Sequence, residues 1–271
     1  MKFPLSLFKK KIKIQEDGDL MELPKKPGLM IFPISMAKIQ GEQSPKKIFD
    51  FIVERVLQKM WKGDPISVLI VYSSSFYERY HVNLGKDMKQ LAKEHEIKLK
   101  KLISGVSYLE KSAYSYMDWD EFIDKYIDRK KLFEARDHLF KFSLENEQFG
   151  NYLLSDIARL KKQDNDDGRL FILEEAVLFY MILKEYNFTF KDDFTKNMNR
   201  WVLLCYSGFA LKVFGYLHKK NYFNVTNSKN IFQDTFYDFK SNYLYQYNAL
   251  DLDKYNSLEA YATQAKEVLH R

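Results

Sequence analysis

The sequence predicts an α/β fold with a mainly parallel sheet and helices on its faces. Residues 28–35 and 66–74 are short apolar runs, the second of them rich in β-branched side chains, as is typical of buried strands. Between them, residues 46–61 carry apolar side chains at helical spacing, after Ser44 as the expected cap and Pro45 in the first turn. A strand, a helix and a strand in this order form a βαβ unit, which implies that the two strands are parallel.

The rest of the chain is predicted to alternate between helices and strands. The expected helices lie at 84–102, 118–130, 131–163, 169–186, 210–220 and 256–270. The further expected strands lie at 105–111 and 200–208, and a loop is expected at 163–168. The chain then divides into a basic N-terminal segment (1–27), an α/β domain (28–220) and a C-terminal extension that packs on this domain or follows it (221–271).

The composition is that of a globular chain. Of 271 residues, 46% are hydrophobic and 16% aromatic, which is enough for a sizeable core. Gly (10) and Pro (6) are scarce, which favours long helices over a turn-rich β protein. Cys205 is the single cysteine, so an intrachain disulfide framework is excluded and a reducing, cytoplasmic setting is expected. No run of about 20 apolar residues lacks a charge, so no membrane span is predicted.

The charge balance is basic. Lys and Arg number 43 against 37 Asp and Glu, which gives a net charge of +6, and the sequence pI is about 9.0. Such a balance indicates an anionic partner, such as nucleic acid or a membrane surface. A lysine-rich genome would produce the same balance, and composition alone leaves both interpretations open.

Several kinds of site have no signature in the sequence. The five histidines are scattered, with no pair at metal-ligand spacing, so we expect no metal site. A glycine-rich phosphate loop of the P-loop or dinucleotide type is missing, and so is a GxSxG nucleophile elbow. We therefore expect no cofactor.

Hydroxyl groups follow or end the predicted strands. Ser35, the serines at 73–75 and Tyr206 all stand at carboxyl ends, where ligands bind in open α/β sheets. A serine can attack an acyl group when a base or an oriented substrate amine takes its proton. The competing interpretation is that these serines only form turns.

An apolar helix carries two adjacent carboxylates. The run LFILEEAVLFYMIL (170–183) is apolar on every side except at Glu174 and Glu175. A carboxylate among apolar groups has a raised pKa, which suits proton transfer near neutral pH. Otherwise one of the pair is solvated and the other is paired with a basic side chain. We expect Glu175 to handle an amine in an enclosed site, and Glu174 to turn outward or pair with a basic side chain.

The motif FILEEAVLF (171–179) resembles the helix of the tRNA-dependent cyclodipeptide synthases, in which Tyr is followed four residues later by Glu. The matching positions are Phe171 and Glu175. Ser35, at the end of the first predicted strand, matches the family's nucleophile, and Tyr206 in LLCYSG matches its late tyrosine. Residues 117–149 resemble the family's Trp- and Tyr-containing helical stretch.

This resemblance implies a Rossmann-like catalytic domain similar to that of class I aminoacyl-tRNA synthetases, working without ATP or metal. The implied reaction joins the amino acids of two aminoacyl-tRNAs into a cyclic dipeptide, a diketopiperazine, by ping-pong acyl transfer. Ser35 would take the first aminoacyl group. Glu175 would hold the substrate amine and shuttle its proton, and Tyr206 would relay a proton during cyclisation.

The resemblance also implies a tRNA-binding helix after the second strand. Lysine supplies point charges that suit backbone phosphates without reading bases. A solvated amphipathic face is the alternative, because acidic residues such as Glu94 and Glu96 dilute the charge. The expected tRNA-binding residues are Lys86, Lys89, Lys93, Lys98, Lys100 and Lys101.

Three expected substrate-binding positions depart from the family pattern. Phe171 replaces Tyr, Lys38 stands where one subfamily has Asn, and Ser207 stands where the two subfamilies have His or Pro. Two other interpretations therefore stay open. One is a non-catalytic tRNA- or RNA-binding protein of the same fold. The other is an unrelated Rossmann-like hydrolase or transferase that uses Ser35.

Overall fold

A six-stranded sheet forms the centre of the computed structural model, which describes residues 28–62, 66–189, 201–207, 211–222, 235–240 and 243–246. The strands are β1 Gly28–Ile34, β2 Ser67–Tyr72, β3 Ala113–Asp118, β4 Trp201–Tyr206, β5 Thr235–Asp238 and β6 Tyr243–Gln246. Their order across the sheet is β3-β2-β1-β4-β5-β6. The first five are parallel and β6 is antiparallel to β5, so the predicted α/β fold with a mainly parallel sheet is confirmed.

Helices connect the strands. They are α1 Pro45–Lys62, α2 Ser74–Arg79, α3 Met88–Ser104, α4 Trp119–Tyr126, α5 Arg129–Glu145, α6 Glu147–Arg159, α7 Asp166–Thr189 and α8 Leu211–Lys220. Helix α1 packs against α3, and α5–α8 pack against one another as a second group. Because βαβ crossovers are right-handed, the two groups belong on opposite faces of the sheet. Helix α7 packs against β4 and is the centre of that second group. In the described part of the chain, no helix is long and apolar enough to cross a membrane.

The central strands are buried on both sides. Every residue of β1 is buried, as are all of β2 except its first residue. This burial explains why both sequences are almost continuously apolar rather than alternating. Cys205 of β4 is also fully buried, between β1 and β5. The predictions of β1, α1, β2, α7, β4 and α8 are confirmed to within a few residues.

The predicted strand at 105–111 is wrong. Residues Ser107–Lys111 form a short 3-10 helix, and the third strand is Ala113–Asp118. This strand lies at the edge of the sheet, where most of its side chains keep contact with solvent. Its sequence AYSYMD therefore lacks the apolar run that marks β1 and β2.

The predicted helices at 118–130 and 131–163 are in fact three, α4, α5 and α6. Asp128 caps α5 by accepting a hydrogen bond of 3.0 Å from the Lys131 backbone N–H. Asn146 caps α6 in the same way through Phe149, at 2.9 Å. Asp and Asn are preferred helix caps, so these two residues in the sequence could have indicated where the helices begin. Likewise α3 begins after the cap Asp87 and not at residue 84.

Three short elements were not predicted. Helix α2 starts where the predicted second strand was still expected to continue, and β5 and β6 come from the expected C-terminal extension (221–271). Strands of four residues are too short to give a periodic pattern. The helix predicted at 256–270 lies outside the described residues.

Candidate active site

The candidate site lies where the strand order reverses. The chain runs from β1 outward to β2 and β3, and then returns to place β4 on the other side of β1. In open α/β sheets the crevice at the carboxyl ends of two such strands is the usual ligand site. Ser35 directly follows β1, and Tyr206 is the last residue of β4. Both therefore lie at this crevice.

The Ser35 hydroxyl is buried and bonded to a second hydroxyl group. Its Oγ lies 2.8 Å from the hydroxyl of Tyr77, which belongs to α2. Burial raises the pKa of Tyr77 to about 12, while its hydrogen bond with Ser35 lowers it. Tyr77 is therefore protonated at neutral pH, and it positions Ser35 without being able to act as its base.

A buried glutamine fixes the backbone of Ser35. Gln43 accepts a hydrogen bond of 2.9 Å from the Ser35 N–H at Oε1, and its Nε2 donates to the Pro33 carbonyl at 2.7 Å. The Gln43 carbonyl lies 2.9 Å from Nε2 of His95, whose Nδ1 lies 3.0 Å from the hydroxyl of Tyr72. Burial lowers the pKa of His95 to about 4. The imidazole is therefore neutral, with its proton on Nε2, and locks the loop that carries Ser35.

Glu175 of α7 has one satisfied and one unsatisfied oxygen. The Tyr206 hydroxyl donates a hydrogen bond of 2.6 Å to Oε1. Oε2 is buried and has no hydrogen-bond partner among the described residues. Burial raises the pKa of Glu175, while the hydrogen bond from Tyr206 and the charges of Lys38 and Lys162 lower it. Such a carboxylate can take a proton or accept a hydrogen bond from an incoming amine.

Tyr206 connects the serine to the carboxylate. Burial and the charge of Glu175 raise the pKa of Tyr206 well above its usual value, and the nearby Ser35 hydroxyl lowers it slightly. The Tyr206 phenol therefore stays protonated; it donates to Glu175 and lies near the Ser35 hydroxyl. Tyr206 is thus placed between Ser35 and Glu175, where a small shift of either hydroxyl would complete a path for a proton.

Glu174, the neighbour of Glu175, is fully buried and does not turn outward. It forms ion pairs with Arg79 and Arg136, and the expected alternative, pairing with a basic side chain, is the one that the structure has. The Tyr80 hydroxyl donates to Oε2, and the indole N–H of Trp119 donates to Oε1 at 3.1 Å. Helix α7 is buried on all sides at this level, so a carboxylate there needs several donors. Glu174 therefore has a structural role.

The solved structures that resemble the chain include five cyclodipeptide synthases. The enzyme from Streptomyces noursei is 11% identical, with a TM-score of 0.39 over 70% of this chain and 87% of that chain. The enzyme from Bacillus thermoamylovorans is 12% identical, with a TM-score of 0.41 over 75% and 85%. A Mycobacterium tuberculosis protein, whose structure relates cyclodipeptide synthetases to type I tRNA-synthetases, is 13% identical, with a TM-score of 0.41 over 75% and 82%. Neither the protein-family models nor the curated proteins give a match.

Phe171 stands where the cyclodipeptide synthase motif has Tyr, one helical turn before Glu175. Its ring packs against Phe76, with centroids 4.1 Å apart, and against Tyr77 at 5.3 Å in a T-shaped arrangement. The ammonium of Lys162 lies 3.8 Å from the centroid of the Phe171 ring. This position is thus an aromatic wall of the site, with a cation stacked on it.

The other two departures from the cyclodipeptide synthase pattern contact each other. The Lys38 ammonium donates to the backbone carbonyl of Ser207 and lies 5.6 Å from the ring centroid of Tyr206. Burial lowers the pKa of Lys38, and the carboxylates of Glu175 and Glu42 oppose the shift. The hydroxyl of Ser207 donates to Glu42. Lys38 thereby ties the loop after β1 to the end of β4.

The six expected tRNA-binding lysines fall into two groups. Three have partners, because Lys86 donates to Gln40, Lys89 pairs with Glu78, and Lys100 pairs with Glu96. The other three are exposed and form no ion pair with the described residues; they are Lys93, Lys98 and Lys101. Helix α3 turns Ala92, His95, Leu99 and Ile103 towards the core. It therefore presents a mixed but predominantly basic outer face.

Sequence patterns did not indicate Tyr77, Gln43 or Lys162 as site residues. Tyr77 lies four residues after Ser73, on a six-residue helix that gave no pattern. Gln43 lies in a polar run that predicted only a turn, and Lys162 is one of many lysines. Within the described ranges, no group of three or more His, Cys, Asp or Glu side chains could hold a metal.

Proposed function

We propose that the protein is an aminoacyl transferase that joins the amino acids of two aminoacyl-tRNAs into a cyclic dipeptide, with Ser35 as the nucleophile. One observation carries the proposal. Glu175 keeps one buried oxygen without a partner among the described residues, while its other oxygen accepts from Tyr206, whose hydroxyl lies near Ser35. A nucleophile, a proton relay and an amine acceptor are the groups that transfer of an α-aminoacyl unit requires.

In the first step, Ser35 Oγ attacks the ester carbonyl carbon of the first aminoacyl-tRNA. The proton of Ser35 passes through the hydroxyl of Tyr206 to Glu175. When the tetrahedral intermediate collapses, the bond to the ribose oxygen breaks and that oxygen takes the proton. The products are free tRNA and an aminoacyl ester on Ser35, which balances atoms and charge. The substrate amine donates a hydrogen bond to Oε2 of Glu175 and thereby orients the acyl group.

In the second step, the amine held by Glu175 attacks the ester carbonyl of the second aminoacyl-tRNA. Glu175 takes the proton that the amine loses, and the ribose oxygen of the second tRNA leaves with a proton. A dipeptidyl ester on Ser35 remains. Its free amine attacks the ester carbonyl, and Tyr206 relays a proton to the departing Oγ of Ser35. The diketopiperazine leaves and the serine is restored.

The exposed lysines of α3 would hold the tRNA. Lys93, Lys98 and Lys101 form no ion pair with described residues, so they are free to neutralise phosphates. The direct neighbours on this face, Lys89 and Lys100, have carboxylate partners with which phosphates would compete. This contact is one of position and charge and carries no base readout.

The test is mass spectrometry of the medium and of the protein from cells that express the chain. Native protein should release a cyclic dipeptide, and Ser35→Ala should release none. Ser107→Ala, which removes an exposed hydroxyl outside α3, is the matched control and should keep full product. If folded native protein makes no cyclic dipeptide but binds tRNA, the non-catalytic interpretation replaces this proposal. If Ser35→Ala makes as much product as native protein, the proposed nucleophile is wrong.

A further inference from the structure

The backbone around Ser35 leaves no N–H group free for a developing negative charge. Acyl-transfer enzymes commonly stabilise the oxyanion with backbone N–H donors next to the nucleophile. Here the N–H of Ser35 donates to Gln43 at 2.9 Å, and that of Met36 donates to Ser73 Oγ at 3.2 Å. The N–H of Ala37 faces the hydroxyl of Tyr77 and lowers the pKa of that group.

The next backbone group is also in use, because the Lys38 N–H donates to the Ser35 carbonyl at 2.9 Å. The nearby side-chain donors are engaged as well. Tyr206 donates to Glu175, and the ammonium of Lys38 donates to the Ser207 carbonyl. The oxyanion formed by attack of Ser35 therefore needs a donor from elsewhere in the site.

Lys162 is a cation whose N–H donors lack an acceptor in the described part of the chain. Its ammonium lies 3.8 Å from the ring centroid of Phe171 and 4.7 Å from that of Tyr77, and it forms no hydrogen bond or ion pair with described residues. The two rings meet at 82°, so they form a corner that fixes the cation. Tyr77 is also the residue whose hydroxyl contacts the Ser35 nucleophile.

The backbone holds Lys162 in place. Lys161, two residues after the end of helix α6, adopts a left-handed conformation with φ of 53°. Its N–H donates to the Ala158 carbonyl at 3.1 Å, and the Lys162 N–H donates to the Ile157 carbonyl at 3.0 Å. This pair of bonds is a Schellman motif, which ends the helix in one defined direction. The Lys162 side chain therefore enters the site from a fixed backbone position.

We infer that Lys162 is a catalytic residue that donates to the carbonyl oxygen of the aminoacyl group and stabilises the oxyanion formed on attack by Ser35. An α-aminoacyl group carries an amine donor and a carbonyl oxygen acceptor three bonds apart. Glu175 Oε2 needs a donor and Lys162 needs an acceptor, so one such group satisfies both. The C=O electron pair moves to the oxygen beside Lys162 as the bond from Ser35 forms, and returns when the ribose oxygen leaves.

The protonation state of Lys162 agrees with this role. Burial lowers the pKa of Lys162 to about 8, with Glu175 raising it and Lys38 lowering it further. The Lys162 amine is thus mostly protonated at neutral pH and loses its proton and charge above pH 8. The inference rests on the proposed acyl transfer to Ser35, and it concerns the donor rather than the nucleophile.

The experiment measures the rate of acyl-enzyme formation by intact-protein mass spectrometry. Lys162→Met, which keeps the length of the side chain, should lower this rate by about 100-fold, the usual effect of removing one oxyanion donor. The KM for aminoacyl-tRNA should change little, because tRNA binds elsewhere. Lys162→Arg should restore part of the rate and keep it above pH 8, where the native rate falls. Lys141→Met, an exposed lysine on α5, should behave like native protein.

A second probe separates this inference from the proposed function. Boronic acid analogues of alanine, leucine and phenylalanine form a tetrahedral anion on a serine without any tRNA. Native protein should bind at least one of them, and Lys162→Met should bind it at least 30-fold more weakly. If the two proteins bind it equally, or if Lys162→Met forms the acyl-enzyme as fast as native protein, Lys162 is not the oxyanion donor. If native protein neither forms an acyl-enzyme nor binds any analogue, both proposals fail.

Discussion

The hydroxyl of Tyr206 donates a hydrogen bond of 2.6 Å to Glu175 and leaves the second oxygen of that carboxylate without a partner among the described residues. One residue earlier on the same helix, Glu174 is held by two arginines. Two adjacent, buried glutamates therefore differ in what surrounds them. Glu174 is neutralised by arginines, whereas Glu175 has one oxygen without a hydrogen-bond donor among the described residues. The contrast gives predictions of opposite sign for the same substitution.

Replacing Glu175 by Gln should stabilise the protein and strongly slow acyl transfer. The raised pKa of Glu175 means that the folded state disfavours the ionised form, so at neutral pH the carboxylate costs stability. The neutral amide removes this cost, and the melting temperature at pH 7 should rise by at least 2 °C. Rate measurements should show a loss of acyl transfer of about 10²- to 10⁴-fold, since an amide takes no proton. A lower melting temperature would contradict the proposed environment of Glu175.

Replacing Glu174 by Gln should instead destabilise the protein. Arg79 and Arg136 would keep their charges in a partly buried place without a carboxylate, which costs about 3 to 5 kcal/mol when one member of a buried pair is removed. Chemical denaturation should therefore give a lower midpoint for Glu174→Gln than for native protein, and a higher midpoint for Glu175→Gln. Equal midpoints for the two variants would show that the arginines do not distinguish them.

Protein stability should depend on pH through His95. Burial lowers the pKa of His95 to about 4, while a histidine in the unfolded chain has a pKa near 6.5. Between these values the unfolded chain binds the proton more strongly, so His95 should destabilise the fold increasingly as pH falls from about 6.5 to about 4. The full effect is about 3 kcal/mol.

Melting temperatures of native protein and His95→Gln between pH 4 and 7 measure this effect. Asp156, whose pKa burial raises to about 6, contributes in the opposite direction. The difference between the two proteins isolates the histidine, because Asp156 is present in both. As the pH falls, the melting temperature of His95→Gln should rise relative to that of native protein. A difference that stays constant with pH would exclude the neutral, buried imidazole.

Reversing the charge of the exposed lysines on α3 should weaken tRNA binding. The triple variant Lys93→Glu, Lys98→Glu and Lys101→Glu should lower affinity most at low salt. Its plot of log affinity against log salt should be shallower by roughly 2 to 3, since each phosphate contact contributes about 0.7 to 0.9. The matched control reverses the charge of three exposed lysines on α5 and α8, namely Lys130, Lys141 and Lys219. Equal slopes for the two triple variants would assign α3 no special role.

The sequence was sufficient for the central part of the fold. Strands β1, β2 and β4 are buried on both faces, so their apolar runs were clear, and their order along the chain implied a parallel sheet. Edge strand β3 and the short strands β5 and β6 gave no such pattern, because partial exposure and short length remove it. The positions at strand ends, Ser35 and Tyr206, followed from the same strands.

The rest of the candidate site depends on contacts between residues distant in sequence. Tyr77 reaches Ser35 across 42 positions, and the partners of Glu174 come from α2, α4 and α5. No local pattern marks such pairs. The expectation for Glu174 left two outcomes open for this reason, since the sequence does not reveal which side of α7 faces an arginine.

The single cysteine offers a built-in measure of how the central sheet opens. Cys205 is fully buried in β4, beside Tyr206, and the chain contains no other thiol. A thiol reagent can therefore modify native protein only during moments when β4 separates from its neighbours. The labelling rate, followed without any mutation, reports the free energy of that opening. Because Tyr206 is the next residue, protection of Cys205 by an aminoacyl-tRNA would report occupancy of the crevice even in variants that have lost catalysis.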